Sequence, residues 1–155
     1  SERGCNYGGA GENAPSSQVI GCRRVSIEQT SLRQELGTRK TFTGGATNVD
    51  VANIMAQGNT FKSARVEIVA MGTVSGVGES ISHRAFMLIR DGSGTVSVAD
   101  GTQTQAPGSG DRFSIGLVPG SGLATVRISL PNAHDGTEVS VHIIVISDDF
   151  VVIAG

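Results

Sequence analysis

From residue 38 to the end of the chain, apolar and polar residues alternate with a period of two in a series of short runs. In one run, Ala124, Val126, Ile128 and Leu130 alternate with small or polar neighbours. Because successive side chains of a β-strand point to opposite faces, this alternation predicts half-buried strands. Strands are predicted at residues 65–71, 82–90, 95–99, 112–118, 124–130, 138–147 and 150–154.

Turn residues separate these runs. The pairs Asp91-Gly92, Asp100-Gly101 and Asp135-Gly136 lie between predicted strands, and residues 91–94 are short enough to form a hairpin. Many short strands with such breaks are typical of an antiparallel sandwich. The sequence therefore predicts an all-β fold, an antiparallel β-sandwich over residues 37–155.

The first 36 residues differ from the rest of the chain. Gly, Ser, Asn and Ala dominate residues 1–17, whose own contacts cannot offset the entropy cost of ordering. We predict that residues 1–36 form an extended N-terminal arm and transition segment. Residues 18–36 are compatible with a strand or with one or two helical turns. Residues 48–55 are compatible with a short helix or with the end of a strand.

Two predicted strands are apolar on both faces. Residues 85–89 are apolar throughout, and residues 141–146 are apolar except for His142. A lone sandwich buries only one face of each strand. The second face is therefore covered either by another subunit or by a long segment of the same chain.

The apolar C-terminal end, residues 150–155, either closes its own sheet or pairs with the open edge of a neighbour. These features make the molecule a candidate for self-assembly. The candidate assembly contacts are Tyr7, Val19, Ile20, His142, Ile144, Ile146, Phe150 and Val152.

Composition and charge exclude several function classes. The net charge is −2 and aromatic residues make up 4% of the chain, with no Trp and one Tyr. This balance provides no basic field for nucleic acid and no charged block for a membrane surface. The absence of Trp and the presence of only one Tyr also argue against a sugar-binding surface.

The sequence carries no catalytic or metal-binding motif. His83, His134 and His142 lie far apart and form no ligand pair, and no nucleophile or phosphate-binding signature is present. We therefore expect no enzymatic activity, no metal and no cofactor. Cys5 and Cys22 could form a disulfide that closes a loop of about 17 residues, worth about 3 kcal/mol. Two reduced thiols are the alternative.

Four segments resemble tailed-phage β-sandwich virion proteins, of the head-decoration (cement) or tail-fibre type. They are residues 41–47 (TFTGGAT), 66–72 (VEIVAMG), 84–98 (RAFMLIRDGSGTVSV) and 142–147 (HIIVIS). The resemblance covers residues 39–150, and the chain departs from it in having no Trp.

This resemblance implies a jelly-roll-like form of the β-sandwich and a capsid decoration protein that binds and stabilises the head shell. Its partners would be the major capsid protein and itself, with a homotrimer as the favoured form. It would be made in the host cytoplasm and reside on the capsid surface of the virion. The alternatives are a receptor-binding module of a tail fibre and a secreted carbohydrate-binding or adhesion β-sandwich.

Overall fold

The structure is a computed structural model that describes residues 33–56, 62–147 and 150–155. Residues 34–155 form one compact unit. The ten strands of the described residues are β1 (Arg33–Thr41), β2 (Asn48–Ala56), β3 (Lys62–Val74), β4 (Gly78–Arg90), β5 (Val96–Asp100), β6 (Thr104–Ala106), β7 (Ser114–Pro119), β8 (Leu123–Ser129), β9 (Glu138–Ile146) and β10 (Phe150–Ala154).

The strands form two sheets. The six-stranded sheet has the order β1-β9-β3-β4-β5, with the short β6 also paired to β4. The four-stranded sheet has the order β10-β2-β8-β7. Strands from the two ends of the chain interleave, since β9 lies between β1 and β3 and β8 lies beside β2. The predicted antiparallel β-sandwich is confirmed.

The core lies between the sheets and is built by the predicted alternation. Ile68 and Ile143 of the six-stranded sheet and Val126 of the four-stranded sheet are fully buried. Phe42 and Phe113 stack with their ring centroids 6.4 Å apart. Inward side chains of both sheets thus form one continuous apolar layer.

Residues 48–55, for which the sequence allowed a short helix or the end of a strand, belong to the strand β2. Its pairing with β8 shifts register between Asp50 and Ala52, so Val51 is an extra residue in the strand. As a result, both Val51 and Ala52 are buried. A β-bulge of this kind interrupts strict alternation. That interruption explains why the sequence pattern fitted a helix as well as a strand.

The first described strand begins inside the predicted arm. β1 starts at Arg33, so residues 33–36 belong to the sandwich and the helical alternative is wrong for them. Leu36 is half-buried and packs against the core. The rest of the predicted arm, residues 1–32, lies outside the described residues.

The predicted hairpin at residues 91–94 joins β4 and β5. The Asp91 carboxylate accepts hydrogen bonds from the Ser93 and Thr95 backbone amides at 2.8 and 3.0 Å, and from the Ser93 hydroxyl at 2.7 Å. The pKa of Asp91 lies below its usual value, chiefly because of the Ser93 hydroxyl and the Thr95 amide. Gly94 has a φ of 92° in this turn, a backbone conformation that suits glycine.

Side chains of β4 and of the connection between β5 and β6 bond backbone groups at the start of the β7 edge. The Phe113 amide donates to Ser80 Oγ at 3.1 Å, and Ser82 Oγ donates to the Phe113 carbonyl at 2.6 Å. The Ile115 amide donates to Gln103 Oε1 at 2.8 Å. An open strand edge invites pairing with another chain. These contacts protect this edge and join the two sheets.

Arg84 completes these β7 edge contacts. Its guanidinium donates to the carbonyls of Ile115 at 2.9 Å and Gly101 at 2.7 Å. It also lies 3.4 Å from the Asp100 carboxylate and 5.3 Å from the centre of the Phe86 ring. One side chain of β4 therefore contacts β7, the end of β5 and the core.

Candidate interaction surface

The six-stranded sheet has a face that points away from the four-stranded sheet, and no described residue packs over it as a third layer. We call the central part of this surface, on β3, β4 and β9, the outer face. Its side chains are Arg65, Glu67, Val69, Met71, Ile81, His83, Ala85, Met87, Ile89, His142, Ile144 and Ile146.

Large apolar side chains on the outer face are exposed. The exposed fractions are 62% for Met87, 54% for Ile89, 46% for Ile81 and 42% for Ile146. Strand register brings Ile146 and Met87 to either side of Arg65, on adjacent strands. Exposed apolar patches on protein surfaces are typical of interaction sites.

The outward side of the four-stranded sheet has a different chemistry. Arg127 donates to the two carboxylate oxygens of Asp50 at 2.7 and 3.3 Å, and Thr125 donates to Asn53 at 2.9 Å. The hydrogen bond from Arg127 holds the pKa of Asp50 below its usual value. Polar cross-strand pairs are typical of a solvated sheet face. The strands of this sheet also carry exposed apolar side chains, namely Ile153, Met55 and Val118. The most exposed large apolar side chains of the described residues, Met87 and Ile89, lie on the outer face of the six-stranded sheet.

The polar groups of the outer face form a small central group. Arg65 Nε donates to Glu67 Oε2 at 3.1 Å, and His83 Nε2 lies 4.0 Å from Glu67 Oε1. His142 and His83 flank Val69 on the two neighbouring strands. On β3 the outer face thus carries one full positive charge (Arg65) and one full negative charge (Glu67), and apolar side chains surround this pair.

A shallow hollow of about 190 Å³ lies beside Met87. It forms where β5 ends and the chain turns toward β6. There the Gly101 amide donates to the Ala85 carbonyl at 2.8 Å. A Cβ at Gly101 would lie 2.7 Å from the same carbonyl oxygen, so only glycine fits without a shift. The hollow is lined by Arg65, Ala85, Phe86, Met87, Ala99, Asp100 and Gly101.

The structure brings three of the candidate assembly contacts together. His142, Ile144 and Ile146 follow one another along the outward side of β9, and Ile144 is half-buried. Phe150 and Val152 lie on β10 in the other sheet, opposite Ala56 and Ile54 of β2. Their backbone pairing shows that the C-terminal strand closes its own sheet.

The remaining candidates lie outside the described residues. These are the assembly contacts Tyr7, Val19 and Ile20 and the disulfide candidates Cys5 and Cys22. Conversely, the most exposed apolar residues of the outer face, Met87 and Ile89, were not among the candidates. The unbroken apolar run at residues 85–89 was the feature of the sequence that could have identified them.

One further cluster of ionisable side chains joins three loops. The His134 ring contacts the Asp111 carboxylate through Nε2 and the Ser75 carbonyl through Nδ1, the latter at 3.0 Å. Asn132 also donates to Asp111 at 3.1 Å. Hydrogen bonds from His134 and then Asn132 lower the pKa of Asp111. Because both ring nitrogens face acceptors, the ring donates to both when protonated and serves as a loop contact.

The described ranges contain no cluster of three or more His, Cys, Asp or Glu side chains placed to hold a metal ion. Within the same ranges there is also no helix with the length and apolar character needed to cross a membrane.

No family model matches the chain, and no curated protein matches it significantly. The solved structures that match the chain include two phage tailspike proteins. The tailspike protein of Acinetobacter phage vB_ApiP_P1 has a TM-score of 0.49 and 13% identity, over 93% of this chain and 25% of that chain. The tailspike protein of Acinetobacter baumannii phage AM24 has a TM-score of 0.48 and 15% identity, over 97% of this chain and 32% of that chain. This chain thus spans a third or less of either protein, and likenesses at this level do not show its family.

Proposed function

We propose that this chain is a structural module of a phage particle that assembles with other protein subunits through the outer face. The observation that carries the proposal is the exposure of Met87, Ile89, Ile81 and Ile146 on the outer face of the six-stranded sheet. The phage setting is supported by the sequence resemblance of residues 39–150.

Burial of this surface supplies a favourable free energy. Complete burial of one Met or Ile side chain contributes about 1.5–3 kcal/mol relative to full exposure. Four half-exposed side chains would therefore contribute several kcal/mol when a partner covers them, before the costs of association. Many copies on one particle would add their contributions.

The proposed role is mechanical and requires no catalysis. The polar side chains of Arg84 and His134 have structural partners within the sandwich. Arg84 binds backbone carbonyls, and both nitrogens of His134 have acceptors. Under this proposal, changes to these residues act through stability rather than through turnover of a substrate.

We place the module on the head shell, as a decoration protein that binds the major capsid protein. A copy count tests this placement by quantitative mass spectrometry of purified particles of the virus that encodes the chain. Copies that scale with the major shell protein are expected. A handful of copies per particle would overturn the head placement and locate the chain in the tail. Its absence from particles would overturn the virion role itself.

The role of the outer face is tested separately, by binding to particles that lack this chain. The variant Met87→Asp/Ile89→Asp introduces two charges into the face, and Val77→Asp is the matched control. Val77 is 51% exposed but lies at the turn between β3 and β4. We expect the double variant to bind at least about tenfold more weakly, because buried unpaired charges are costly. Equal binding of both variants would contradict the proposal.

A further inference from the structure

We propose that the partner covering the outer face is a second copy of this chain, related by a two-fold axis. This inference rests on the proposed function, since it names the subunit that covers the same surface. The dimer would attach to the particle with two copies, so a variant that separates the copies weakens particle binding by removing one of the two attachments. The axis would lie in the plane of the interface and perpendicular to β3, passing between Arg65 and Glu67. Two-fold pairing requires a surface that is complementary to itself.

Charge complementarity is the first observation in favour of this arrangement. Arg65 and Glu67 are two residues apart on β3, so both project from the outer face in neighbouring rows. Rotation about the proposed axis exchanges the two rows. Arg65 of each copy then faces Glu67 of the other, and two ion pairs cross the interface. An axis along β3 would instead place Arg65 against Arg65, which is repulsive.

Shape complementarity is the second observation, and it concerns different residues. The register places Met87 beside Arg65 on β4 and Ala85 beside Glu67. The same rotation therefore sets Met87 of one copy over Ala85 of the other. Met87 is the most exposed large apolar residue, and Ala85 lines the adjacent hollow of about 190 Å³. A large flexible side chain thus meets a depression on both sides of the axis.

The third strand of the outer face fits the same rotation. On β9, Ile146 lies beside Arg65 and Ile144 lies beside Glu67. Ile146 of one copy would therefore pack on Ile144 of the other. Each copy would keep its four-stranded sheet on the outside of the dimer. The arrangement covers Met87 and Ile146, two of the exposed apolar side chains of the outer face.

Sedimentation equilibrium of the full chain over a range of concentrations tests this proposal. We expect the purified chain to reach twice the monomer mass. Met87→Asp should raise the dimer dissociation constant at least about tenfold, whereas the control Val77→Asp should leave it unchanged. Thermal melts of both variants verify that they are folded. A chain that remains monomeric at about 0.1 mM, or that forms a trimer, would overturn the two-fold arrangement.

A charge exchange tests the predicted contacts without removing apolar surface. Arg65→Glu alone and Glu67→Arg alone each place like charges across the interface, so each should weaken the dimer. The double variant Arg65→Glu/Glu67→Arg restores opposite charges and should recover the wild-type dissociation constant. If the two copies associate through apolar contacts in another geometry, the double variant will not recover the wild-type dissociation constant. That result would overturn the proposed axis.

The outcomes separate this inference from the proposed function. A wild-type monomer that loses particle binding on Met87→Asp/Ile89→Asp would overturn the second copy as partner while supporting the assembly role of the face. A dimer that Met87→Asp disrupts, in a chain absent from particles, would support the second copy and overturn the virion role.

Discussion

The replacement of Arg84 by Met provides a sharp test of how the two sheets are held together. Met keeps much of the length and apolar character of the arginine stem but has no hydrogen-bond donor. The change leaves the carbonyls of Ile115 and Gly101 without the donors that now lie 2.9 and 2.7 Å away. It also removes the cation over Phe86 and the partner of Asp100.

The expected loss of stability follows from these contacts. A hydrogen bond that involves a charged group contributes about 1.5–3 kcal/mol, and two such bonds are lost. The cation–π contact contributes about 0.5–1 kcal/mol, and an ion pair this exposed contributes little. Contacts that share one side chain are not additive, and a quarter of the Arg84 side chain is exposed. We therefore expect Arg84→Met to lower the free energy of unfolding by about 2–4 kcal/mol.

Urea denaturation at pH 7 measures this change, with Arg112→Met as the control. Arg112 makes one local hydrogen bond, to the carbonyl of Gly110 at 3.1 Å, so its replacement should cost less than about 0.5 kcal/mol. The slope of the free energy against urea should be the same for both variants. A loss below about 1 kcal/mol for Arg84→Met would refute the idea that these side-chain contacts join the sheets.

Three further changes have expected outcomes. Gln103→Leu should lower the free energy of unfolding by about 1–3 kcal/mol in urea, because the Ile115 amide loses its acceptor. Asp111→Asn should lower the melting temperature at pH 7 and flatten its dependence on pH in acid. The reason is that the folded-state pKa of Asp111 is lowered, so its contribution is complete above the ordinary carboxyl pKa of about 4 and is lost as pH falls through the folded value. Deletion of residues 150–155 should lower both solubility and melting temperature, because it exposes the edge of β2.

Each of these expectations has a contradicting result. A Gln103→Leu variant as stable as wild type would show that water replaces the side chain at the β7 edge. For Asp111, the double variant Asp111→Asn/His134→Gln should be no less stable than the more affected single variant. Fully additive losses would show that the two groups act independently. For the deletion, unchanged solution mass and melting temperature would contradict the role of β10.

The pattern of the chain was sufficient for most of the strands. Period-two alternation located β3, β4, β8 and β9, and the Asp91-Gly92 turn located a hairpin, because both signals are local. The sequence left β2 ambiguous because the bulge at Val51 is evident only from the pairing of β2 with its neighbouring strand β8. β6 was not predicted, since three residues are too short a run to show a period.

The surface was predicted only in part. The apolar runs at residues 85–89 and 141–146 indicated that a second face is covered by another subunit or by the same chain. Three candidate residues, His142, Ile144 and Ile146, lie on one surface of β9. The sequence did not show that Met87, Arg65 and Ile146 are neighbours. Their proximity depends on the order β9-β3-β4 and on its register, which are set by long-range pairing.

The sequence by itself determined the fold class, most of the strands and the existence of apolar side chains beyond the needs of one core. These properties depend on the character of each residue and on spacings of a few residues. Only the tertiary structure decided that Met87, Ile89, Ile81 and Ile146 share the outer face, and that Arg84 and Gln103 bond the backbone of Ile115 in β7. The physical reason is that such contacts join residues 12 to 31 positions apart, whose proximity follows from strand pairing and sheet packing.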